Sequence, residues 1–245
     1  MKTRHFANTG QSVSEIALGC LQLGADWGHV SDNEALRILE TAVESGITFL
    51  DTADVYGGGR SESLIRQFVK GPQEDLFIAT KIGRKNYPGP YTPEVIRQHI
   101  SDCRQRLGVE ALDLVQLHCI PPQVMSSGEV FDTLIACKQD GLIKNFGAIV
   151  ESMDEALMIL DQPELTSLQI IFNIFRQSPS ARYLTRRLQK VSASLCDCRW
   201  PVVCLRGSSR AKRRSPWTLP GFHPPQQFAN LDDGELATKL RLIAS

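Results

Sequence analysis

The sequence predicts an α/β protein in which parallel strands and helices alternate around a barrel. Within the first 177 of the 245 residues, short apolar runs begin roughly 25 to 36 residues apart, which is the length of a strand–helix unit. Both a closed barrel and a doubly wound sheet repeat this unit. The G-x-G-x-x-G fingerprint of dinucleotide-binding doubly wound sheets does not follow the first run, and this favours the barrel.

Six apolar or β-branched runs are the predicted strands. They are SEIALGC (14–20), ITFLDTA (47–53), LFIATKI (76–82), LDLVQLHC (112–119), IKNFGAIV (143–150) and LQIIFNIF (168–175). Most are nearly continuous apolar segments rather than alternating ones. Strands of a parallel sheet have this composition because helices cover both faces of the sheet.

The segments between these runs carry the start and stop signals of helices. SDNEALRILETAVESG has Ser31 or Asp32 as its N-cap, apolar residues at helical spacing, and Gly46 as its stop. TPEVIRQHISDCRQRLG begins with Thr92 as cap and a proline at the first helical position. GEVFDTLIACKQDG and ESMDEALMILDQ follow the same pattern, so each strand is expected to lead into a helix.

Composition excludes several classes of protein. Apolar residues make up 42% of the chain and charged residues 22%, as in soluble globular proteins. The N-terminus has no apolar core of a signal peptide, and no stretch of about 18 apolar residues occurs, so neither secretion nor membrane spanning is expected. Four cysteines lie at unpaired spacings, which indicates reduced thiols in the cytoplasm: Cys20, Cys103, Cys119 and Cys137.

Four polar residues lie at the ends of three successive predicted strands. They are Asp51 at the end of the second strand, Tyr56 in the loop after it, Lys81 at the end of the third and His118 at the end of the fourth. In a parallel barrel the carboxyl ends of the strands form one rim, so these side chains can converge. Taken singly, each also has a structural explanation, and only their joint placement indicates a site.

Together, these groups suit the protonation of a carbonyl oxygen while hydride reaches the carbonyl carbon. A tyrosine with a pKa of about 10 is a poor acid unless its anion is stabilised. An ammonium group such as that of Lys81 stabilises the anion, and the Asp51 carboxylate anchors the ammonium group. The imidazole of His118 can share the proton or orient the carbonyl oxygen.

Residues 1 to about 177, about 72% of the chain, resemble the aldo-keto reductases, an NADPH-dependent family with a (β/α)8 TIM barrel. The matching stretches occur in the family's order and spacing: RHFANTGQSVSEIALGC, GITFLDTADVYGGGRSE, IATKIG, LDLVQLH, GLIKNFGAIVES and LQIIFNIFRQ. The resemblance implies an α/β fold of this barrel class, with about six strand–helix units recognisable. It also implies reduction of an aldehyde or ketone to an alcohol by hydride transfer from NADPH.

The resemblance assigns roles to individual residues. It implies that Tyr56 is the general acid, that Lys81 and Asp51 tune its pKa, and that His118 orients the carbonyl. Gln169 matches the family residue that contacts the nicotinamide carboxamide. No metal is implied. One position departs from the family pattern: after the fifth strand the family usually has a serine that binds the same carboxamide, and here the run GAIVES has Ile149.

The segment from residue 178 to 245 has a different composition. It contains 12 Lys and Arg against 4 Asp and Glu, whereas the preceding part has 15 against 23. Three cysteines lie close together, at Cys196, Cys198 and Cys204, but their spacing does not suit zinc. Because of the basic run RAKRR, one alternative interpretation of this segment is a tail that binds nucleic acid. A further alternative is a solvated, disordered extension.

The hypothesis that we favour is a shifted reading frame after residue 177. With a shift by two bases, Asp197–Cys198 must give leucine and Trp200–Pro201 must give alanine. Permitted wobble choices then allow residues 189–210 to be read as KGVGIIVRLPLASGLLAGKLT, which resembles the family's seventh strand and cofactor loop.

The sequence therefore predicts a partial barrel at residues 1–177 and a basic, irregular or poorly ordered tail at residues 178–245. A barrel that lacks two strands exposes sheet edges and core, so marginal stability and impaired activity are expected. The expected partner is a small-molecule carbonyl substrate in the cytoplasm, with neither nucleic acid nor membrane. The alternatives are a non-catalytic barrel that binds a nucleotide or a protein, and a nucleic-acid binder with a basic tail.

Overall fold

The computed structural model describes residues 1–7, 9–26, 28–69, 76–171 and 193–197. A short antiparallel hairpin, β1 (Thr3–His5) and β2 (Ser12–Ser14), comes first. Seven parallel strands then lie side by side in their order along the chain: β3 (Leu18–Gly19), β4 (Phe49–Asp51), β5 (Phe77–Ile82), β6 (Leu114–His118), β7 (Phe146–Val150), β8 (Ser167–Ile171) and β9 (Ala193–Asp197). Each strand is thus paired with the next strand in the sequence.

Helices lie between the strands, as the periodicity predicts. They are α1 (Asp32–Glu44), α2 (Arg60–Phe68), α3 (Pro93–Leu107), α4 (Pro122–Ser127), α5 (Glu129–Gln139) and α6 (Met153–Ile159). The predicted caps are confirmed, because the Ser31 hydroxyl accepts the backbone N–H of Glu34 and the Thr92 hydroxyl accepts that of Val95. Gly108 ends α3 in the left-handed conformation. None of the helices in these ranges combines the length and hydrophobicity that crossing a bilayer demands.

All six predicted runs contain a strand, and the predicted architecture of an incomplete (β/α)8 barrel is confirmed. The seventh strand, β9, lies inside the segment for which the sequence predicts irregular structure. β9 pairs with the outer edge of β8 through backbone groups, and an extended segment can make such bonds whatever its side chains are. The rest of residues 178–245 lies outside the described residues.

A cluster of aromatic rings fills the barrel interior at the amino ends of β4 and β5. Phe49 and Phe77 are register partners on these strands, and Phe6 reaches them from the hairpin. The ring centroids are 4.9 Å apart for Phe6 and Phe77, 5.2 Å for Phe49 and Phe77, and 5.6 Å for Phe6 and Phe49. The hairpin therefore closes the end of the barrel opposite the strand ends that carry the polar residues.

Replacing Phe49 by alanine tests this closure. We expect Phe49→Ala to lower the free energy of unfolding by about 3–5 kcal/mol, because the truncation leaves a cavity among rings that cannot collapse. Urea denaturation followed by circular dichroism measures the loss. The control is Ile16→Ala, whose side chain is 60% exposed and which should change stability by less than about 0.5 kcal/mol. Equal losses in the two variants would show that the ring cluster contributes little.

Candidate active site

The candidate general acid, Tyr56, lies on a tight turn after β4. The turn spans Tyr56–Gly59, and Gly57 adopts the left-handed conformation, with φ at 59°. A Cβ at Gly57 would lie 2.4 Å from the carbonyl oxygen of Gly24, so only glycine allows the two loops to approach this closely. The Gly57 N–H also donates to Oδ2 of Asp26 at 2.7 Å. The glycines of the DTADVYGGG motif therefore serve to place the tyrosine against the loop after β3.

Lys81, on β5, is completely buried and uses all three of its ammonium hydrogens. Its Nζ donates to Oδ1 of Asp51 at 2.5 Å, to the carbonyl oxygen of Thr52 at 2.9 Å and to the Tyr56 hydroxyl at 3.5 Å. A buried charge is tolerated only with such partners. The ammonium group is thus fixed between the carboxylate and the phenol.

The environment of Lys81 keeps it protonated. Burial by itself lowers the pKa of the ammonium group, but the negative charge of Asp51, together with the Tyr56 oxygen, outweighs this and raises the pKa above its ordinary value. The Lys81 nitrogen also lies 5.2 Å from the centroid of the Tyr56 ring. A permanent positive charge therefore faces the phenol at neutral pH.

His118 ends β6 and is buried next to the same tyrosine. The two rings meet edge to face, with centroids 6.1 Å apart and an interplanar angle of 88°. The structure therefore brings together Asp51, Tyr56, Lys81 and His118, the four residues that the sequence places at the strand ends. Within the described ranges, no cluster of histidine, cysteine and acidic side chains could hold a metal ion.

Gln169 lies on β8, four strands away from β4 in the sheet, and its side chain contacts this group across the interior. Its Nε2 donates to Oδ2 of Asp51 at 3.2 Å, and its Oε1 is buried and has no hydrogen-bond partner among the described residues. An acceptor in this state fits an amide N–H donor such as the carboxamide of a nicotinamide. Ile149 lies between His118 and Gln169 in the strand register and offers no side-chain hydrogen bond.

Sequence reasoning missed a second buried network beside the site. Nδ1 of His99, on α3, lies 2.9 Å from Oδ2 of Asp54, and its Nε2 lies 3.2 Å from Oδ1 of Asn86. These contacts tie the loop that leads to Tyr56 to the turn after β5. The position of His99 on the apolar face of α3, between Ile96 and Ile100, was the one signal in the sequence that could have revealed it.

Two further polar side chains line the interior below the site. Gln116 and Ser167 are register neighbours of Gly147, and both are completely buried without a side-chain hydrogen-bond partner in the described part of the chain. A Cβ at Gly147 would lie 2.1 Å from Oγ of Ser167, which explains the glycine in FGAIV. The interior therefore changes from aromatic at the amino ends of the strands to polar toward the site.

The thiol of Cys20, which lies just after β3, should be inert in the native protein. Burial first, and then the charge of Asp51, raise the pKa of this thiol to about 12, so almost no thiolate exists at pH 8. We expect iodoacetamide to leave the Cys20 peptide unmodified under native conditions, as measured by mass spectrometry. The same peptide in urea is the control and should be alkylated. Rapid native alkylation would contradict the buried position.

Known proteins are similar to this chain in sequence and in fold. The model of the aldo/keto reductase family matches residues 15–189. The uncharacterized oxidoreductase YqkF of Bacillus subtilis is 29% identical over 187 residues, which are 73% of this chain and 58% of YqkF. L-galactose dehydrogenase of Arabidopsis thaliana is 28% identical over 180 residues, which are 71% of this chain and 56% of that protein.

A solved structure agrees with these relatives. The holo form of the aldo-keto reductase AKR11C1 from Bacillus halodurans has a TM-score of 0.71 and 25% identity, over 80% of this chain and 65% of that one. The chain spans a little more than half the length of the two curated relatives. The family model itself covers well over half of the chain and extends beyond residue 177. This chain therefore belongs to the aldo/keto reductase family.

Proposed function

We propose that the protein is a cytoplasmic, NADPH-dependent oxidoreductase that reduces an aldehyde or ketone to an alcohol, and that the segment from residue 178 onward impairs this activity. The observation that carries the proposal is the position of the Lys81 ammonium group, 3.5 Å from the Tyr56 hydroxyl and 2.5 Å from Asp51. A tyrosine beside a permanently charged lysine is suited to donate a proton at neutral pH, because the lysine stabilises the phenolate that remains.

In the proposed reaction, each side chain handles a proton or fixes an atom. When bound, NADPH supplies the hydride that adds to the carbonyl carbon. The Tyr56 hydroxyl donates its proton to the carbonyl oxygen, and Lys81 stabilises the resulting phenolate. Asp51 holds the Lys81 ammonium group in place, and His118, next to the Tyr56 ring, orients the carbonyl oxygen.

The fit of a nicotinamide is supported by Gln169, whose buried Oε1 suits a carboxamide N–H. Two features support impairment. Ile149 stands where the family resemblance implies a serine, which removes one hydrogen bond to the carboxamide. The sequence after residue 177 also lacks the family's recognisable seventh- and eighth-strand motifs, which the resemblance links to the cofactor loop and to the 2′-phosphate of NADPH.

Replacing Tyr56 by phenylalanine tests the catalytic role. We expect Tyr56→Phe to lower kcat/KM for a generic aldehyde at least about 100-fold, since the general acid is lost, and to leave the Kd of NADPH nearly unchanged. L-galactose, the substrate named for the Arabidopsis relative, belongs in the assay in the oxidative direction. Tyr87→Phe, at a tyrosine that is 62% exposed, is the matched control and should retain wild-type turnover. Full activity in Tyr56→Phe would refute the assignment.

The departures at Ile149 and after residue 177 favour one second candidate, a non-catalytic barrel that binds a nucleotide or a protein partner. Fluorescence titration with NADPH, combined with the turnover assay, separates the two. Binding without turnover of any carbonyl would support the non-catalytic barrel. Absence of binding would count against both, and would leave the basic tail as a nucleic-acid-binding element to be tested by a salt-dependent binding assay.

The nucleotide sequence tests the origin of the impairment. We expect sequencing across the codons for residues 177–182 to show a frame disruption, after which the alternative frame encodes KGVGIIVRLPLASGLLAGKLT. A protein made from the restored frame should bind NADPH more tightly than the present chain. An intact single frame in independent isolates would contradict the hypothesis.

A further inference from the structure

The Asp51 carboxylate has two partners that come from different parts of the barrel. Its Oδ1 accepts the ion-pair hydrogen bond from Lys81 on the neighbouring strand β5, at 2.5 Å. Its Oδ2 accepts a hydrogen bond from Nε2 of Gln169 on β8, at 3.2 Å. Since β4 and β8 are four strands apart in the sheet order, the second bond crosses the interior at the end that holds the site.

The chemistry of a carboxylate fixes which end of the Gln169 amide faces it. An amide has a donor end and an acceptor end of nearly the same shape, and either end can usually face a neighbour. A carboxylate paired with a buried ammonium group only accepts hydrogen bonds, so the donor end must point toward Asp51. The acceptor end, Oε1, is then left buried and without a partner among the described residues.

We propose that Asp51 orients the Gln169 amide so that the site recognises a hydrogen-bond donor, the amino group of the nicotinamide carboxamide. This inference rests on the proposed function and deepens it. Asp51 thereby acts as a positioning residue for the cofactor in addition to anchoring Lys81. The two bonds of Gln169 support each other, because donation to Oε1 polarises the amide and strengthens the bond from Nε2 to Asp51.

The residue beside Gln169 on β7 cannot help to orient a carboxamide. Ile149 lies beside Gln169 in the register of β7 and β8 and has no polar side-chain atom. On this side of the site, the orientation of the carboxamide therefore depends on the Gln169 amide. The hydrogen bond from Gln169 to Asp51 and the hydrogen bond from a carboxamide to Gln169 strengthen each other. A change that weakens the first bond should therefore reduce the difference in Kd between nicotinamide analogues with and without a carboxamide amino group.

The first test uses the protein without cofactor. The side-chain amide protons of Gln169, followed by ¹⁵N NMR, should exchange with solvent at least about tenfold faster in Asp51→Asn than in the wild type, because a charge-assisted hydrogen bond is lost. The amide of Gln116 is the internal control, since it is buried and has no hydrogen-bond partner in the described part of the chain. Equal exchange of Gln169 in both proteins would overturn the proposed orientation.

The second test measures selectivity by binding. The 3-acetylpyridine analogue of NADP⁺ carries a methyl group where the carboxamide has its amino group, so it cannot donate a hydrogen bond. In the wild type its Kd should exceed that of NADP⁺ by about tenfold, because the buried Oε1 then stays unpaired. In Asp51→Asn the new amide can donate to Oε1, which lets the Gln169 amide turn around, and the two Kd values should agree within about threefold.

A second variant guards against misfolding of the first. Gln169→Leu leaves Asp51 and Lys81 paired, and it should equalise the two Kd values as well. A Kd ratio that stays near tenfold in both variants would overturn the inference, since a general structural effect weakens both dinucleotides equally. A wild-type protein that binds neither dinucleotide would refute the proposed cofactor and this selectivity together, whereas NMR exchange decides the orientation separately.

The proposed catalysis can fail while this inference holds. If the Kd values show strong selectivity but Tyr56→Phe has unchanged turnover, the proposed catalysis is refuted and the orientation of Gln169 is not.

Discussion

The buried ion pair between Lys81 and Asp51 is the interaction on which the organisation of the site depends. A completely buried ammonium group is stable only when every hydrogen has an acceptor, and here the acceptors come from β4, from the backbone after β4 and from the turn that carries Tyr56. The lysine therefore fixes β5 against the loop of the neighbouring strand. Removing either partner would leave an uncompensated charge in the interior and lower the stability of the barrel. Because Nζ of Lys81 also contacts the Tyr56 hydroxyl, the same change would alter the position of the phenol.

The parallel architecture could be predicted from the sequence because its signals are local. Apolar runs at regular separations mark the strands, and serine, threonine and glycine mark the helix ends, so that β3 to β8 and α1, α3, α5 and α6 all result from patterns within short windows. The convergence of Asp51, Lys81 and His118 also results from this regularity, since residues at the carboxyl ends of neighbouring parallel strands must meet. The residue types alone indicate carbonyl protonation, and the family resemblance adds the identity of the cofactor and the contact proposed for Gln169.

Four features of the structure could not be predicted from short windows of the sequence. The hairpin of β1 and β2 consists of two three-residue strands in which Val13 is the one apolar residue, and segments this short carry no readable periodicity. The bond between Asp51 and Gln169 joins residues 118 positions apart, and no periodicity relates them. The contact of His99 with Asp54 depends on how α3 packs over the loop after β4. The pairing of β9 with β8 joins strands more than 20 residues apart along the chain, and no pattern within residues 193–197 predicts it.

The strands pair in their order along the chain, so each part of the site is encoded by its own part of the gene. The side chains proposed to handle protons lie between residues 51 and 118, and each strand in this region pairs with its immediate neighbours along the chain. All the residues proposed to handle protons are therefore translated before the codons beyond residue 177. A lesion in those late codons spares the acid–base groups and alters only the residues translated downstream of it. Under the proposed function, a frame disruption there would leave the proposed proton-transfer groups intact and would alter the segment proposed to hold the hydride donor.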